Sequence, residues 1–273
     1  MYGLNSSILL VVEIIAFGLA LSSGLQWIYY LFEGFRVPQL TKLVQKRNEA
    51  RLADLTRRLN EIQHEKALEE LPAASQNQVY KVYERLLEYP EVLSAEGTPK
   101  RIAERPTRLG NIIATYELYP ESRYGVDAVH YWYHFLSLAP NDARKEFQDS
   151  YAFAESLVLT SFSGLLIAVL QAFVLAGFAV GTLKPAFAVM SLATDPIATS
   201  IIGLVGLLVW WGFYQASLPA HKDAGAIFRS VVDLSMPAFL DWAQKMRSPV
   251  LYRDEPWRAH LSGWLKDLKR PES

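Results

Sequence analysis

Three uninterrupted apolar runs decide what this chain can fold into. Residues 8–32, 156–183 and 197–218 hold one formal charge among them, Glu13. Each run exceeds the roughly 18 apolar residues that a helix needs to cross the hydrocarbon core of a bilayer. An ordinary water-soluble enzyme is therefore excluded, and the chain reads as an integral membrane protein. The length of 273 residues would suit one or two domains, and a net charge of −1 decides nothing. The absence of cysteine removes disulfides, cysteine zinc sites, iron–sulfur ligation and a thiol nucleophile.

Charge asymmetry sets the expected orientation. No charge precedes the first run, whereas Arg36, Lys42, Lys46, Arg47, Arg51, Arg57 and Arg58 follow it. Lys184 is the only basic residue between the second and third runs, and nine Lys or Arg lie between Lys222 and Arg270. Basic residues near span ends stay on the cytoplasmic side, so the amino terminus is expected outside and the carboxyl terminus inside. The division predicted is a first transmembrane helix at 1–33, a cytoplasmic helical domain at 34–153, a second span at 154–183, an external loop at 184–196, a third span at 197–218 and a cytoplasmic amphipathic tail at 219–273. A cleaved signal peptide would need a basic n-region and a core of about 7–15 apolar residues, so the first run reads as a retained anchor.

The fold class expected is all-α, with the middle segment folded as a helical bundle. Residues 39–71 lack Gly and Pro and favour one long helix, with Leu52, Leu55, Leu59 and Ile62 as a 3-4-3 seam. Gln45 and Asn48 interrupt that seam, leaving an intramolecular bundle and an oligomerising coiled coil both open. Ser75 is placed to cap a second helix that stops before Pro90. Residues 94–106 read as a basic loop, a third helix runs from Arg108 to Pro120, a fourth from Val126 to Leu138, and Asn141 caps one that continues into the second span.

The stretches Thr107-Arg108-Leu109-Gly110-Asn111 and Tyr119-Pro120-Glu121-Ser122-Arg123-Tyr124-Gly125-Val126-Asp127-Ala128-Val129 resemble a block in a group of uncharacterised bacterial membrane proteins, where a similar TRLGN…YPxxRYGxDAV pattern precedes paired transmembrane helices. The resemblance covers about fifty residues. It implies a bacterial source and placement in the inner membrane, and it carries over no functional residue.

Each candidate site residue has a structural alternative. Asp127, His130 and His134 share a helical face and offer ligand-binding or metal chemistry, but they lie in an aromatic stretch whose polar tips need hydrogen bonds in any case. Arg108 and Arg123, with Lys100, Arg101 and Arg105, form a basic region that could bind an anionic nucleotide or a lipid headgroup, or instead pair with buried glutamates. The middle segment balances 17 Lys or Arg against 17 Asp or Glu, so no nucleic acid is expected. Phosphate-loop, dinucleotide, metalloprotease and nucleophile-elbow patterns are missing, so neither catalysis nor a cofactor is expected. Glu13 and Gln171 are candidate pathway groups within the runs. Ser156, Thr160, Gly164, Ala168, Ala172 and Ala176 recur every four residues and predict a close helix contact. Trp257 and Trp264 mark an interfacial face in the tail, suited to anionic lipid or to the protein's own bundle.

The leading expectation is an oligomeric, non-enzymatic protein of the bacterial inner membrane, a gated pore or membrane-perturbing effector controlled by its cytoplasmic domain. The alternative is a scaffold or accessory subunit anchoring a larger complex. Membrane lipid, further copies of the chain, and a protein partner or small anionic ligand are the partners implied.

Overall fold

The computed structural model describes residues 24–34, 38–65, 73–93, 98–180 and 196–245. Glu13 with most of the first run, nearly all of the expected external loop, and the tail carrying Trp257 and Trp264 lie outside the described residues. The described chain is mostly helical: α1 (Leu25–Glu33), α2 (Pro38–Glu65), α3 (Ala73–Leu86), the short strands β1 (Glu91–Leu93) and β2 (Pro99–Arg101), then α4 (Arg108–Glu117), α5 (Tyr119–Tyr124), α6 (Ala128–Leu138), α7 (Asn141–Val180) and α8 (Pro196–Lys245). Two of these helices, α7 and α8, are long and apolar enough to cross a membrane.

Several expectations change in detail. Within the region read as a basic loop, Pro99–Arg101 forms a strand that pairs antiparallel with Glu91–Leu93 just before it, Glu91 opposite Arg101 and Leu93 opposite Pro99. Pro120 begins α5 instead of ending α4, because at a first-turn position proline removes an N–H that has no helical partner anyway. Gly125 then closes α5 in the left-handed region, at φ 68°. The tail read as starting at 219 is helical as far as Lys245, since α8 runs on through Pro219 and Pro237.

Contacts divide the chain into two units, one of residues up to Phe32 with Ala152–Ala220, the other of Glu33–Tyr151 with His221 onward. In the first, α7 and α8 pack antiparallel. A Cβ on Gly164 would stand 2.7 Å from the Trp210 nitrogen and 2.8 Å from the Gly206 oxygen, so the two backbones touch there and only hydrogen fits. Ser161 donates to the Trp210 carbonyl at 2.9 Å, and Ala154, Val158 and Ala168 complete the buried face. Large apolar groups point outward, with Phe173 71 % exposed and Trp211 60 % exposed.

The second unit buries its large side chains. Phe228 on α8 stacks on Trp132 at 4.5 Å, and Phe239 stacks on Phe135 at 4.5 Å. Val231, Val232, Met236 and Leu240 fill in between, with Leu109, Ile112 and Val126 from the motif block also buried. Gly225 lets α8 lie against Tyr116, whose Cδ1 would be 2.5 Å from an added Cβ.

Candidate functional site

Charged residues in and around the motif block form three clusters, all in the second unit. Thr107 caps α4 by accepting from the Gly110 N–H at 3.0 Å, which fixes the direction of the next residue, Arg108. The Arg108 guanidinium grips both oxygens of Glu88, and Lys222 from α8 reaches Glu88 Oε1 at 2.9 Å. Glu88 is 3 % exposed. Burial alone would raise its carboxyl, but the hydrogen bonds from Arg108 and Lys222 outweigh it and hold the group below the usual carboxylate range.

The second cluster centres on Arg105, whose guanidinium forms an ion pair with Glu33 Oε2 at 3.0 Å and donates to Glu117. One guanidinium serves two carboxylates here. At Glu117 burial prevails over its attraction and raises the carboxyl above the usual range. The loop carrying Arg105 is held by Asn111, which accepts from the Arg105 N–H at 3.0 Å and donates to the carbonyls of Arg105 and Thr107 at 2.6 and 2.8 Å. Asn48 of α2 donates to the Pro106 carbonyl and Gln45 to that of Ala103. The two polar residues that break the α2 seam are therefore the ones that tie α2 to this loop.

In the third cluster, Tyr119 and Tyr124 both donate to Asp233 of α8, at 2.8 and 2.7 Å to Oδ1. Burial and the neighbouring carboxylate raise both phenols above their ordinary value. The Arg123 guanidinium lies 5.8 Å from the Tyr119 ring centre and 5.6 Å from that of Tyr124, and Arg229 lies 5.9 Å from Tyr119.

Arg108 and Arg123, read together from sequence, thus belong to different clusters. Asp127 serves as the α6 N-cap, accepting from the His130 N–H at 3.0 Å. His130 and His134 are exposed on α6, against Tyr131 at 4.7 Å and Trp242 at 4.4 Å respectively. Among the described residues no three His, Asp or Glu gather where they could share a metal ion. The six small residues of α7 also separate. Gly164 and Ala168 are buried against α8 and Thr160 is half-buried, while Ser156, Ala172 and Ala176 are exposed. A four-residue repeat gains about 40° per step on a helix of 3.6 residues per turn, so six such positions cannot keep one face. Gln171 is buried beside Gly203, and its carbonyl oxygen has no partner among the described residues.

The seam residues Leu52 and Leu59 join Leu86 and Ile102 in lining an open groove of about 1220 Å³ between α2, α3 and β2. Sequence reasoning missed Glu33, Glu88, Asn111, Glu117, Lys222, Arg229 and Asp233. For the α8 members a signal existed: Ala224, Phe228, Val231, Val232, Met236, Phe239, Leu240 and Ala243 keep helical spacing well past the third apolar run. No protein-family model matches the chain, and no curated protein or solved structure matches it either.

Proposed function

We propose that this chain is a non-enzymatic protein of the bacterial inner membrane, with three spans, an external amino terminus and a cytoplasmic helical bundle that binds a ligand or partner. The observation that carries the membrane reading is the outward face of α7 and α8, where Ile167, Phe173, Leu204, Leu208 and Trp211 are exposed around a close-packed small-residue contact. Water penalises such a surface and lipid does not. The binding reading is supported by the way Glu88 and Asp233 are used. Each is taken up by cations or phenols, an arrangement that orders loops around cationic side chains and leaves neither carboxylate free for proton transfer.

Because the chain has no cysteine, single cysteines report topology without background. Cysteine at Ser6 or Ser191 should react with a membrane-impermeant thiol reagent in intact cells, and cysteine at Ser75 or Ser273 should react only after lysis. Labelling at Ser75 but not at Ser6 in intact cells overturns the orientation, and release of the protein by alkaline carbonate overturns the spans.

Of the two readings taken from sequence, a scaffold that anchors a binding unit is favoured, because Gly164 and Ala168 are spent on contact within the chain. A specific observation keeps the oligomeric pore as the second reading: Ala172 and Ala176 are exposed on α7 near the unpaired Gln171 carbonyl, a surface that a further helix could approach closely. Ion leakage from liposomes holding the purified chain alone would favour the pore, and obligate co-purification with a partner the scaffold.

A further inference from the structure

We infer that Arg123 and Arg229 form, over the ring of Tyr119, a binding site for a phosphorylated anion. Arg229 stands one helical turn before Asp233 on α8, the spacing at which Arg and Asp on a helix ordinarily pair. They do not pair here. Asp233 is drawn instead to the hydroxyls of Tyr119 and Tyr124, which donate to it at 2.7–2.9 Å. Among the described residues the Arg229 side chain has no hydrogen bond or ion pair, and its guanidinium lies 5.9 Å from the Tyr119 ring centre.

Arg123 is in a similar position. Its Nε donates to the Tyr124 hydroxyl at 3.2 Å, and no carboxylate within the described residues takes its two terminal nitrogens. The neighbouring motif arginines behave differently, since Arg101, Arg105 and Arg108 each grip a glutamate. Two guanidiniums therefore face one aromatic ring, each within 6 Å of its centre and so no more than twice that distance apart, with their terminal N–H groups unspent. Like charges gathered this way repel each other, and an anion relieves the repulsion.

The donor set selects the anion. A guanidinium is a planar fork that fits phosphate or carboxylate oxygens in pairs. A lone carboxylate can occupy one fork, whereas a phosphoryl group or a diphosphate offers enough oxygens and charge for both. Tyr119 and Tyr124 donate to both oxygens of Asp233, so neither fork is spent on that carboxylate. The ligand class is a phosphate ester or diphosphate, supplied either as a free anion or as a lipid headgroup. This inference rests on the reading of the cytoplasmic bundle as a binding unit.

The test uses the full chain in nanodiscs of neutral lipid. Arginines are modified with phenylglyoxal with and without pyrophosphate, and the modified positions are mapped by mass spectrometry. Pyrophosphate should protect Arg123 and Arg229 about threefold or more and leave exposed Arg47 on α2 unprotected. By calorimetry, R123Q or R229Q should each weaken pyrophosphate binding about tenfold, the usual scale for losing one charge-assisted pair. Protection by phosphatidate placed in the nanodisc, without protection by pyrophosphate, assigns the headgroup as the source. Protection by neither, or equal protection at Arg47, overturns the site even if a variant fails to fold, because both arms use the unmodified chain. Such a failure leaves the membrane reading intact, since that stands on carbonate extraction and thiol labelling.

Discussion

Where α7 and α8 meet, the smallest side chains face inward and the largest outward; in the motif-bearing unit the order is reversed. Gly164 and Gly206 touch backbone to backbone while Phe173 and Trp211 are left exposed. In the other unit Phe135 and Phe239 are fully buried, although Tyr83 and Tyr133 remain exposed. The difference lies in the driving force. Burying a large apolar side chain gains free energy only against water, so the second unit carries the kind of packing that water drives. Helices in lipid gain from close approach, which small residues allow. The water-type unit must also pair its buried charges, and its clusters set carboxylates against cations or phenols.

The comparison breaks most visibly at Glu88. Replacing Glu88 by Ala leaves Arg108 and Lys222 facing an apolar site, and removing one partner of a buried ion pair costs about 3–5 kcal/mol. Thermal or urea unfolding of the detergent-solubilised chain, followed by near-ultraviolet circular dichroism, should show that loss in the aromatic signal. The exposed pair of Arg57 with Asp54, where Arg57 is 65 % exposed, supplies the contrast: Arg57→Ala should leave the melt unchanged. A Glu88→Ala protein that unfolds like wild type would mean the cluster does not organise the unit.

The apolar pair breaks at its small residues. Leu at Gly164 has no room beside the Trp210 nitrogen and the Gly206 oxygen, and overpacking of this kind costs about 1–3 kcal/mol. Ala172→Leu points to open space and should leave the pair intact, as read by reversible unfolding in sodium dodecyl sulfate. If Ala172→Leu instead lowers the oligomer mass in detergent, copies associate through that face and the pore reading gains over the scaffold.

The two units were not equally legible in sequence. Long uncharged runs and the Asn141 start announced α7, because apolar continuity and capping are local signals. The small-residue repeat marked the contact only at Gly164 and Ala168, since the contact follows Ala154, Val158, Ser161, Gly164, Ala168 and Gln171 at spacings of three and four, a period a helix can hold on one face. The continuation of α8 past Pro219 was hidden by a residue that lacks an N–H, although the buried spacing beyond it was readable. The clusters were hidden for a stronger reason. Tyr119 meets Asp233 across 114 positions and Asn48 meets Pro106 across 58, and pairings at such separations leave no periodic trace.

A pH titration sharpens the comparison within the water-type unit. A carboxyl raised above its ordinary value by burial, as at Glu117, holds its proton more tightly in the folded chain. Stability from Glu117 is therefore greatest in acid and is lost as pH rises through the folded value. Glu88, held below its ordinary value, acts in the opposite sense: its contribution is present above the unfolded value and is lost as pH falls through the folded one. Glu117→Gln should flatten the fall in melting temperature on the rising-pH side and leave the acid limb in place. An unchanged profile would show that Glu117 is ionised throughout and paired with Arg105.

The smallest effects belong to the two caps of the motif block, and they separate burial from hydrogen bonding alone. Thr107 and Asp127 each accept one N–H at the start of a helix, from Gly110 and His130, both at 3.0 Å. Gly110 is buried, with the Glu33 carbonyl 3.1 Å from where its Cβ would sit, so water cannot readily replace a lost acceptor. The cap at Asp127 is exposed, and water can. Loss of a cap costs about 1 kcal/mol on average, and an unsatisfied buried donor adds to that. Thr107→Ala should therefore cost about 1–2 kcal/mol and Asp127→Ala about 0.5 kcal/mol, with Thr107→Ser restoring most of the first loss. Equal losses at the two sites, measured by urea unfolding at pH 7, would show that α4 begins in contact with water and that the motif is not as buried as its packing requires.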